Sequence, residues 1–304
     1  MRPKCYQAFR AHSVFQGVMQ MRCAWQEYIR LLPHRLRSEI DEYGKSDLQE
    51  VRLRIGQSPV MVKHSCIKTL PGTVSKEDLD FVINTASNYS PWAAATSAHG
   101  YITAAGGHRI GICGDAVVKS GEISIIKVPT SLCLRVSRDF PGIADGTQRY
   151  TGSILIIGPP GSGKTTLLRD IIRQRSSSGT DSIAVLDERG EIFPFVQGKA
   201  CYDTGSNTDI LTGCGKQQGI DMLLRTMGPG CIAVDEITEE CDCNALLKAG
   251  WCGVSLIATA HAATKSDLYT RPVYSRITAN RLFDTILVLQ PDKTWKAERI
   301  EPCT

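Results

Sequence analysis

The chain has 304 residues, which is enough to bury a sizeable core and to form two domains. Hydrophobic residues make up 42% of it and charged residues 22%, as in an ordinary globular protein. The formal net charge of +4 does not favour nucleic acid as the main partner, because nucleic-acid-binding domains carry clustered lysines and arginines.

The N-terminal region begins with a segment of no clear periodicity. Residues 1–20 mix polar, apolar and basic side chains, which predicts an extra or disordered segment. From Trp25 onward apolar residues recur at helical spacing, and a second helical stretch follows and ends at Gly44. A third helix is predicted after Ser75, which serves as its N-cap with Asp78 three residues on.

Short strands complete this region. Apolar and charged residues alternate over Val51–Ile55, which predicts a half-buried strand. Further strands are predicted at Val60–Val62, Ile125–Val128 and Ser131–Val136. Together with the helices they indicate a smaller N-terminal α+β domain over residues 21–140. A proline and two glycines then indicate a linker over residues 141–150.

The second half of the chain changes character. Short, continuously apolar strands are predicted at Ile154–Ile157, Ile183–Leu186, Ile232–Val234, Val254–Thr259 and Thr285–Leu289. Helices are predicted between most of them, at Lys164–Arg175, Gln217–Met227 and Thr238–Ala249. Apolar strands that alternate with helices indicate a parallel sheet covered on both faces, so residues 151–304 are predicted to form an α/β domain.

The segment GPPGSGKT at Gly158–Thr165 matches the Walker A pattern in full. It lies between a predicted strand and a predicted helix, a context that disfavours a chance glycine-rich turn. The glycines let backbone amides face a phosphate, and the helix N-terminus adds partial positive charge. Lys164 is predicted to reach the terminal phosphates of ATP, and the Thr165 hydroxyl to bind Mg²⁺. The predicted nucleotide contacts are Gly158, Pro159, Pro160, Gly161, Ser162, Gly163, Lys164, Thr165 and Thr166.

A second motif, CIAVDE, is an apolar strand that ends in two acids, Asp235 and Glu236. Asp235 is predicted to hold Mg²⁺, and Glu236 to orient and polarise the attacking water. A solvated acidic turn is the alternative, which the Walker A motif makes the weaker one. An acid pair directly after the strand favours a RecA-like ATPase over a Ras-like one.

Two further polar segments follow apolar strands. Thr259 or His261 is predicted to sense the terminal phosphate, because in RecA-like sheets such a strand lies between the Walker A and Walker B strands. A histidine at a strand end is otherwise more often a surface residue. Asp187 and Glu188 close another strand at the same edge of the sheet and are predicted cofactor contacts; an ordinary charged loop is the equal alternative.

These motifs, in this order, resemble the secretion ATPases of type II and type IV machines, which carry Walker A, an Asp box, Walker B and a His box. Within that superfamily the chain most resembles the stage III sporulation AA family, over nearly all of residues 25–300. The shared blocks are Glu50–Gly56, His99–Thr103, Gly106–Gly111, Leu186–Ile192, Thr208–Leu211, Leu223–Arg225 and Ala258–His261. Two positions depart from the family pattern, Thr238, where glycine is usual, and Ala262.

The resemblance implies a C-terminal RecA-like P-loop ATPase domain that uses ATP and Mg²⁺. It also implies a cytoplasmic homo-oligomer, a hexamer, on the inner face of the membrane. Its partners would be a membrane-embedded channel or the proteins of a sporulation complex, and no nucleic acid is expected. In this family arginines of the first domain reach the nucleotide of the same or a neighbouring subunit. Arg109 and Arg135 are the candidates, and surface arginines on a small sheet are the alternative.

Three functions compete at this point. The leading hypothesis is an ATP-hydrolysing motor that acts on a trans-envelope protein complex. A nucleic-acid-associated RecA-like ATPase is the alternative, which the weak charge and the absence of aromatic-plus-basic runs disfavour. A nucleotide-gated scaffold with little turnover is the third, and Glu236 argues against it.

Twelve scattered cysteines indicate reduced thiols rather than a zinc site. No apolar run is long enough to span a membrane, so a cytoplasmic location is expected.

Overall fold

Two compact units make up the chain in its computed structural model, which describes residues 21–45, 47–88, 100–119, 122–179 and 181–299. The first unit comprises Met21–Asp139 together with Pro194–Tyr202. The second comprises Phe140–Phe193 and the described residues from Asp203 on. The predicted N-terminal segment 1–20 and His99 of the family pattern lie outside the described residues. None of the helices in the described part of the chain has the length and apolar character that a membrane span requires.

Helices and strands follow no regular order in the first half of the chain, and they largely alternate in the second half. The helices are α1 (Trp25–Leu31), α2 (His34–Gly44), α3 (Lys76–Ala86), α4 (Lys164–Ser177), α5 (Lys216–Thr226), α6 (Glu240–Trp251), α7 (Lys265–Thr270) and α8 (Pro272–Ala279). The strands are β1 (Leu48–Arg54), β2 (Val60–Lys63), β3 (Ile67–Thr69), β4 (Tyr101–Thr103), β5 (Arg109–Lys119), β6 (Glu122–Arg135), β7 (Ile154–Ile157), β8 (Ile183–Asp187), β9 (Phe195–Val196), β10 (Lys199–Ala200), β11 (Thr208–Thr212), β12 (Cys231–Ile237), β13 (Ser255–Ala260), β14 (Thr285–Leu289) and β15 (Trp295–Arg299).

The first unit is built on an antiparallel sheet whose described strands lie in the order β3-β2-β1-β6-β5-β4. Apolar residues at alternate strand positions pack against α1, α2 and α3, so the core covers one face of the sheet. This confirms the predicted α+β character. Ser75 caps α3 as predicted, because its hydroxyl accepts the N–H of Asp78 while the Asp78 carboxylate accepts the N–H of Ser75.

Strand β6 differs from its prediction. The sequence predicts two short strands, whereas the structure has one long strand that pairs with β5 along its length. The pairing shifts register three times, and one of these shifts lies beside Pro129, which lacks an N–H for the ladder. The bulged residues therefore continue the strand instead of ending it.

The second unit contains a sheet in the order β11-β8-β12-β13-β7-β14-β15. Every neighbouring pair is parallel except β14 and β15. All residues of β7, β8 and β14 are buried, which is the burial expected when helices cover both faces. Strand β13 lies between β7 and β12, as predicted for a RecA-like sheet. The edge strands β11 and β15 were not predicted. Polar residues interrupt their sequences, so they lack the continuous apolar run of the interior strands.

A hairpin of β9 and β10 belongs to the first unit although it lies in the second half of the chain. The Tyr202 hydroxyl after β10 is hydrogen-bonded to the hydroxyl of Ser137. Gly107 has φ of 78°, and a Cβ there would lie 3.2 Å from the Tyr202 hydroxyl oxygen. From the sequence, this segment is predicted to belong to the 151–304 domain. Such a short hairpin cannot bury apolar surface by itself, so its location depends on the surface that receives it.

Candidate active site

The Walker A segment forms the loop between β7 and α4. Gly161 and Gly163 have φ of 71° and 104°, a region that glycine adopts without strain, and α4 begins at Lys164. No heavy atom of the described residues would lie within 4 Å of a Cβ at either glycine, so backbone conformation rather than crowding selects glycine there. The Ser162 hydroxyl is buried and has no hydrogen-bond partner among the described residues. A loop of this shape, which leads into the free amides of a helix N-terminus, is a cradle for an anion.

The other predicted nucleotide contacts lie on the same loop and helix turn. Gly158 is buried at the end of β7, where a Cβ would come within 2.6 Å of Ser162 Oγ. Pro159 and Pro160 are exposed at the loop surface, and Thr166 is half-buried in the first turn of α4. The structure thus gathers the predicted set into one place. Their contact with a nucleotide remains a prediction.

The ammonium group of Lys164 lies folded over this loop. Its Nζ donates to the carbonyl oxygens of Gly158 at 2.9 Å and Pro159 at 3.0 Å. It also lies 3.0 Å from Nδ1 of His261. Burial lowers the pKa of the Lys164 ammonium, and the nearby carboxylates of Asp235 and Glu236 counteract this shift. The cation is held by carbonyl groups at the mouth of the cradle, where an anion would meet it.

A β-bulge carries the two acids of the Walker B motif. The pairing of β12 with β13 shifts register between Val234 and Ile237. Asp235 and Glu236 therefore both lie opposite one residue of β13, Thr259. Glu236 has φ of 46°, a left-handed conformation that is uncommon outside glycine. Bulges and such backbone conformations concentrate at functional sites, where they direct a side chain that a regular strand would aim elsewhere.

The Walker A threonine contacts the Walker B aspartate. Thr165 Oγ1 donates to Asp235 Oδ2 at 2.7 Å. A hydroxyl and a carboxylate at this separation present adjacent oxygen ligands, which suit a hard cation such as Mg²⁺. The structure therefore brings together the two predicted metal ligands. Both side chains are only half-buried, so a cation can retain the waters that Mg²⁺ gives up reluctantly.

His261 connects the two motifs. It follows the tip of β13, and its Nε2 lies 2.6 Å from Glu236 Oε1. Because the Lys164 ammonium donates to Nδ1, the ring proton of a neutral His261 lies on Nε2, which donates to Glu236. The other carboxylate oxygen of Glu236 lies 3.6 Å from the guanidinium of Arg189. The predicted sensor histidine thus contacts both the lysine predicted to bind phosphate and the carboxylate predicted to act on water.

Two residues that hold His261 were not singled out from the sequence. The hydroxyl of Tyr274 accepts the N–H of His261 at 3.2 Å and lies 3.3 Å from the carbonyl oxygen of Ile237. Arg271 donates to the carbonyl oxygen of His261 at 2.7 Å. Both residues belong to the α7–α8 segment, which has no motif of its own. In the sequence Tyr274 is simply a tyrosine shortly after the His box, without a motif that would single it out.

The Asp box, Asp187 and Glu188 directly after β8, is held by contacts within the protein. Asp187 is buried, and its carboxylate accepts three backbone N–H groups of its own loop, from Glu191 at 2.8 Å, Ile192 at 3.0 Å and Phe193 at 2.8 Å. Burial raises the pKa of the Asp187 carboxyl, and these amides counteract the shift. Glu188 is ion-paired with the buried Lys216 at 2.8 Å. Both acids have protein partners, and contact with a cofactor remains a prediction for them.

A polar cleft of about 430 Å³ adjoins the site at the carboxyl ends of β8 and β12. Half of its lining residues are acidic, and they include Glu236 and the two acids of the Asp box. Lys216, at the start of α5, lies in this wall between Glu188 and Asp242, whose carboxylate is 3.6 Å away. Glu236 is therefore accessible from the cleft as well as next to His261. Lys216 is not predicted from the sequence, because a single lysine at a helix start carries no motif.

Arg109 and Arg135 lie in the first unit and form a cross-strand pair. They are directly opposite each other on β5 and β6, so their side chains share one face of that sheet. The guanidinium of Arg109 lies 3.7 Å from the ring centre of Tyr101. Nε of Arg135 lies 3.5 Å from Glu50 Oε2, and the Arg135 side chain is 64% exposed. Their predicted role at a nucleotide remains a prediction.

Solved structures of secretion ATPases have this fold. The Legionella pneumophila ATPase DotB superimposes with a TM-score of 0.52 at 17% identity, over 86% of this chain and 78% of DotB. The pilus retraction motor PilT, solved with bound ADP, gives a TM-score of 0.57 at 16% identity, over 88% of this chain and 82% of PilT. At such identities the likeness shows the fold, that of a RecA-like P-loop ATPase domain with a smaller N-terminal α+β domain.

Sequence comparison identifies the family. The family described as "Sporulation stage III, protein AA" matches residues 24–300. Stage III sporulation protein AA of Bacillus subtilis (strain 168) is 34% identical over 280 residues, which cover 88% of this chain and 91% of that protein. The matched range, residues 24–300, contains the positions of the Walker A loop, the β12 bulge and the His box. The chain therefore belongs to the stage III sporulation protein AA family, within the fold of the type II and type IV secretion ATPases.

Proposed function

We propose that this chain hydrolyses ATP where the Walker A loop, the β12 bulge and His261 meet. The observation that carries the proposal is the connected set of contacts from Lys164 through His261 to Glu236. A lysine that binds phosphate and a carboxylate that acts on water must lie on either side of one reacting phosphorus. A structural ion pair would need no glycine cradle, no bulge and no magnesium ligands beside it.

Backbone amides and one lysine ammonium group would bind the substrate. The amides from Gly161 to Thr165 and the Lys164 ammonium would contact the β- and γ-phosphate oxygens of ATP. To do so, Lys164 exchanges its present carbonyl partners, Gly158 and Pro159, for phosphate oxygens. The unpartnered Ser162 hydroxyl gains a partner in the same step. Thr165 and Asp235 would hold Mg²⁺, which neutralises phosphate charge when bound.

The chemical step is assigned to Glu236. Its carboxylate orients a water molecule and accepts one of its protons while the water oxygen attacks the γ-phosphorus and the bond to the bridging oxygen breaks. His261 fixes one carboxylate oxygen of Glu236 by donating from Nε2. Because Nδ1 of the same ring faces Lys164, the imidazole couples the position of Glu236 to the position of the phosphate-binding lysine. Loss of the γ-phosphate would therefore change the positions of both Lys164 and Glu236.

The biological role is proposed from the family. A ring of copies, a hexamer, would use hydrolysis to do mechanical work on a membrane-embedded channel or another sporulation complex, from the cytoplasmic side of the membrane. Two relatives support this: the Bacillus subtilis protein is named for stage III of sporulation, and PilT is a retraction motor. The modest net charge of the chain agrees with a protein partner rather than a nucleic acid.

The proposal is tested by separating binding from hydrolysis. Lys164→Ala should abolish binding of a fluorescent ATP analogue, because the lysine meets charge already present in the ground state. Glu236→Gln should retain binding and lose turnover by on the order of 100-fold or more, because the glutamate acts on the water. Steady-state phosphate release and analogue binding are measured on the same preparations. Glu298→Gln, an exposed glutamate on β15, is the matched control and should change neither. Wild-type turnover by Glu236→Gln would exclude the assignment.

A further inference from the structure

The hydroxyl of Thr259 contacts both acids of the Walker B motif. Thr259 is completely buried on β13, and its Oγ1 donates to Asp235 Oδ1 at 2.5 Å. The same oxygen accepts the backbone N–H of Glu236 at 2.8 Å. A hydroxyl has one hydrogen and two lone pairs, so the hydrogen is used on one acid and a lone pair on the other. A threonine is thus matched to this position by its capacity both to donate and to accept.

The backbone of the bulge depends on this contact. In a bulge the extra residue leaves the ladder, and its N–H loses the partner that a regular strand would supply. Here the N–H of Glu236 is shared between Thr259 Oγ1 and Asp235 Oδ1, which is 3.0 Å away. A buried amide without a partner is costly, so the hydroxyl helps to maintain φ of 46° at Glu236. That conformation accompanies the 2.6 Å contact of Glu236 with His261.

The carboxylate of Asp235 is oriented from both sides. Its Oδ2 accepts the hydroxyl of Thr165, and its Oδ1 accepts the hydroxyl of Thr259. Two hydroxyl groups at opposite oxygens prevent rotation of the carboxylate about its terminal bond. The oxygen that faces Thr165 is consequently the one presented on the Walker A side. Hydrogen bonds of this kind, made by residues behind a metal ligand, fix its orientation and basicity.

We propose that Thr259 is a positioning residue for the reaction, which holds Asp235 for Mg²⁺ and Glu236 for the attacking water with one hydroxyl group. The inference rests on the proposed ATPase function. It differs from the sequence-based expectation that Thr259 or His261 senses the terminal phosphate, because the hydroxyl of Thr259 is fully buried and turned to the acids. Thr259 acts only through Asp235 and Glu236.

The test compares two substitutions at this one position. Thr259→Val keeps the shape and the strand preference but removes the hydroxyl, whereas Thr259→Ser keeps the hydroxyl and removes a methyl group. Thr285→Val, at the buried start of β14, is the matched control. Each variant is measured for binding of a fluorescent ATP analogue in EDTA and over a Mg²⁺ titration, for steady-state turnover, and for melting temperature.

Thr259→Val should bind the analogue in EDTA as wild type does and should require about 10–100-fold more Mg²⁺, with turnover lowered by a similar factor. Thr259→Ser should keep the Mg²⁺ requirement and the turnover within about threefold of wild type. Its melting temperature should fall, because a buried methyl group is lost. Wild-type Mg²⁺ dependence in Thr259→Val, or equal loss in Thr259→Val and Thr259→Ser, would overturn the inference. A wild-type protein that binds ATP without hydrolysing it would instead refute the proposed function, and the Mg²⁺ titration would still decide the role of Thr259.

Discussion

Buried polar side chains in this protein are fixed by partners far away in the chain. His108 in the first unit has no solvent exposure, and its Nδ1 accepts the N–H of Ser137 at 3.1 Å. Its Nε2 lies 3.0 Å from the carbonyl oxygen of Ala24, to which it donates. This arrangement requires a neutral ring, because a protonated Nδ1 would face another N–H group. Burial accordingly lowers the pKa of His108 from its usual 6.5 to about 4.

The stability of the first unit should therefore decrease as the pH falls. Between pH 6.5 and 4 the unfolded chain binds a proton at His108 that the folded chain does not, so the free energy of unfolding decreases as the pH is lowered through this window. The decrease in the free energy of unfolding over this window is roughly 3 kcal/mol, since each unit of pKa corresponds to about 1.4 kcal/mol.

Urea unfolding from pH 7.5 to 4.5 measures this effect. His108→Asn, which keeps an acceptor for Ser137 but does not titrate, should show a flatter dependence than wild type. His64→Asn, at an exposed histidine of the same unit, is the control and should leave the slope unchanged. Equal slopes for wild type and His108→Asn would contradict the prediction.

At the scale of elements, the loop after β8 depends on two buried side chains. Asp187 accepts three consecutive amides of this loop. Arg169 of α4 donates to the carbonyl oxygens of Glu191 and Ile192 in the same loop. The helix that begins at the Walker A loop and the strand that ends in the Asp box thus hold one segment between them. The next residues along the chain form the β9–β10 hairpin of the first unit.

Asp187→Asn should destabilise the protein by about 1–3 kcal/mol, because the amide group turns an N–H₂ toward backbone N–H groups that lose their acceptor. Asp209→Asn, at an exposed aspartate of the neighbouring strand β11, should change stability by less than about 0.5 kcal/mol. Thermal unfolding of both variants tests the difference. A variant Asp187→Asn that is as stable as wild type yet fails to bind nucleotide would show that the carboxylate acts on the cofactor instead of the loop.

At the scale of the whole molecule, the described part of the chain passes between its two units three times. It crosses once after Asp139, again into the hairpin at Pro194, and back after Tyr202. Only the first crossing falls at the edge of the linker predicted over residues 141–150. Within the described residues, the two units are thus joined by three covalent connections. The Asp box leads directly into the second crossing, so the loop held by Asp187 and Arg169 is one of these connections.

Assembly is the prediction that belongs to this scale. Turnover per subunit should rise with protein concentration if a neighbouring copy supplies an arginine to the site, an effect worth roughly 10³–10⁵-fold for such arginines. Arg135→Ala should then retain binding of ATP and lose turnover. Arg52→Ala is the matched control, because Arg52 is also exposed and also pairs with Glu50, at 2.5 Å.

Steady-state turnover against concentration, together with mass from light scattering, provides the measurement. Mixing Arg135→Ala with Glu236→Gln should partly restore turnover when the arginine acts between copies, because each variant supplies what the other lacks. Full turnover by a monomer at every concentration would exclude the ring, while hydrolysis of ATP within a single copy would remain.

The sequence by itself determined the parts of the protein whose signal is continuous along the chain. The Walker A loop is eight consecutive residues between a strand and a helix, so its conformation follows from local glycine and helix-start preferences. Fully apolar strands that alternate with helices determined the parallel sheet, because such strands are stable only when buried on both faces. The paired acids, the His box and the family pattern followed from residues read in order, and the family is confirmed by comparison.

Tertiary structure decided what depends on register and long-range packing. The bulge that brings Asp235 and Glu236 opposite Thr259 arises from the pairing of β12 with β13, which no local pattern encodes. Tyr274 and Arg271 reach the site only because α7 and α8 pack beside it. The amides that the Asp187 carboxylate accepts, and the unit in which the hairpin lies, depended on partners that become neighbours only on folding. A side chain's local sequence limits which hydrogen bonds it can make, and the fold decides which of them it does make.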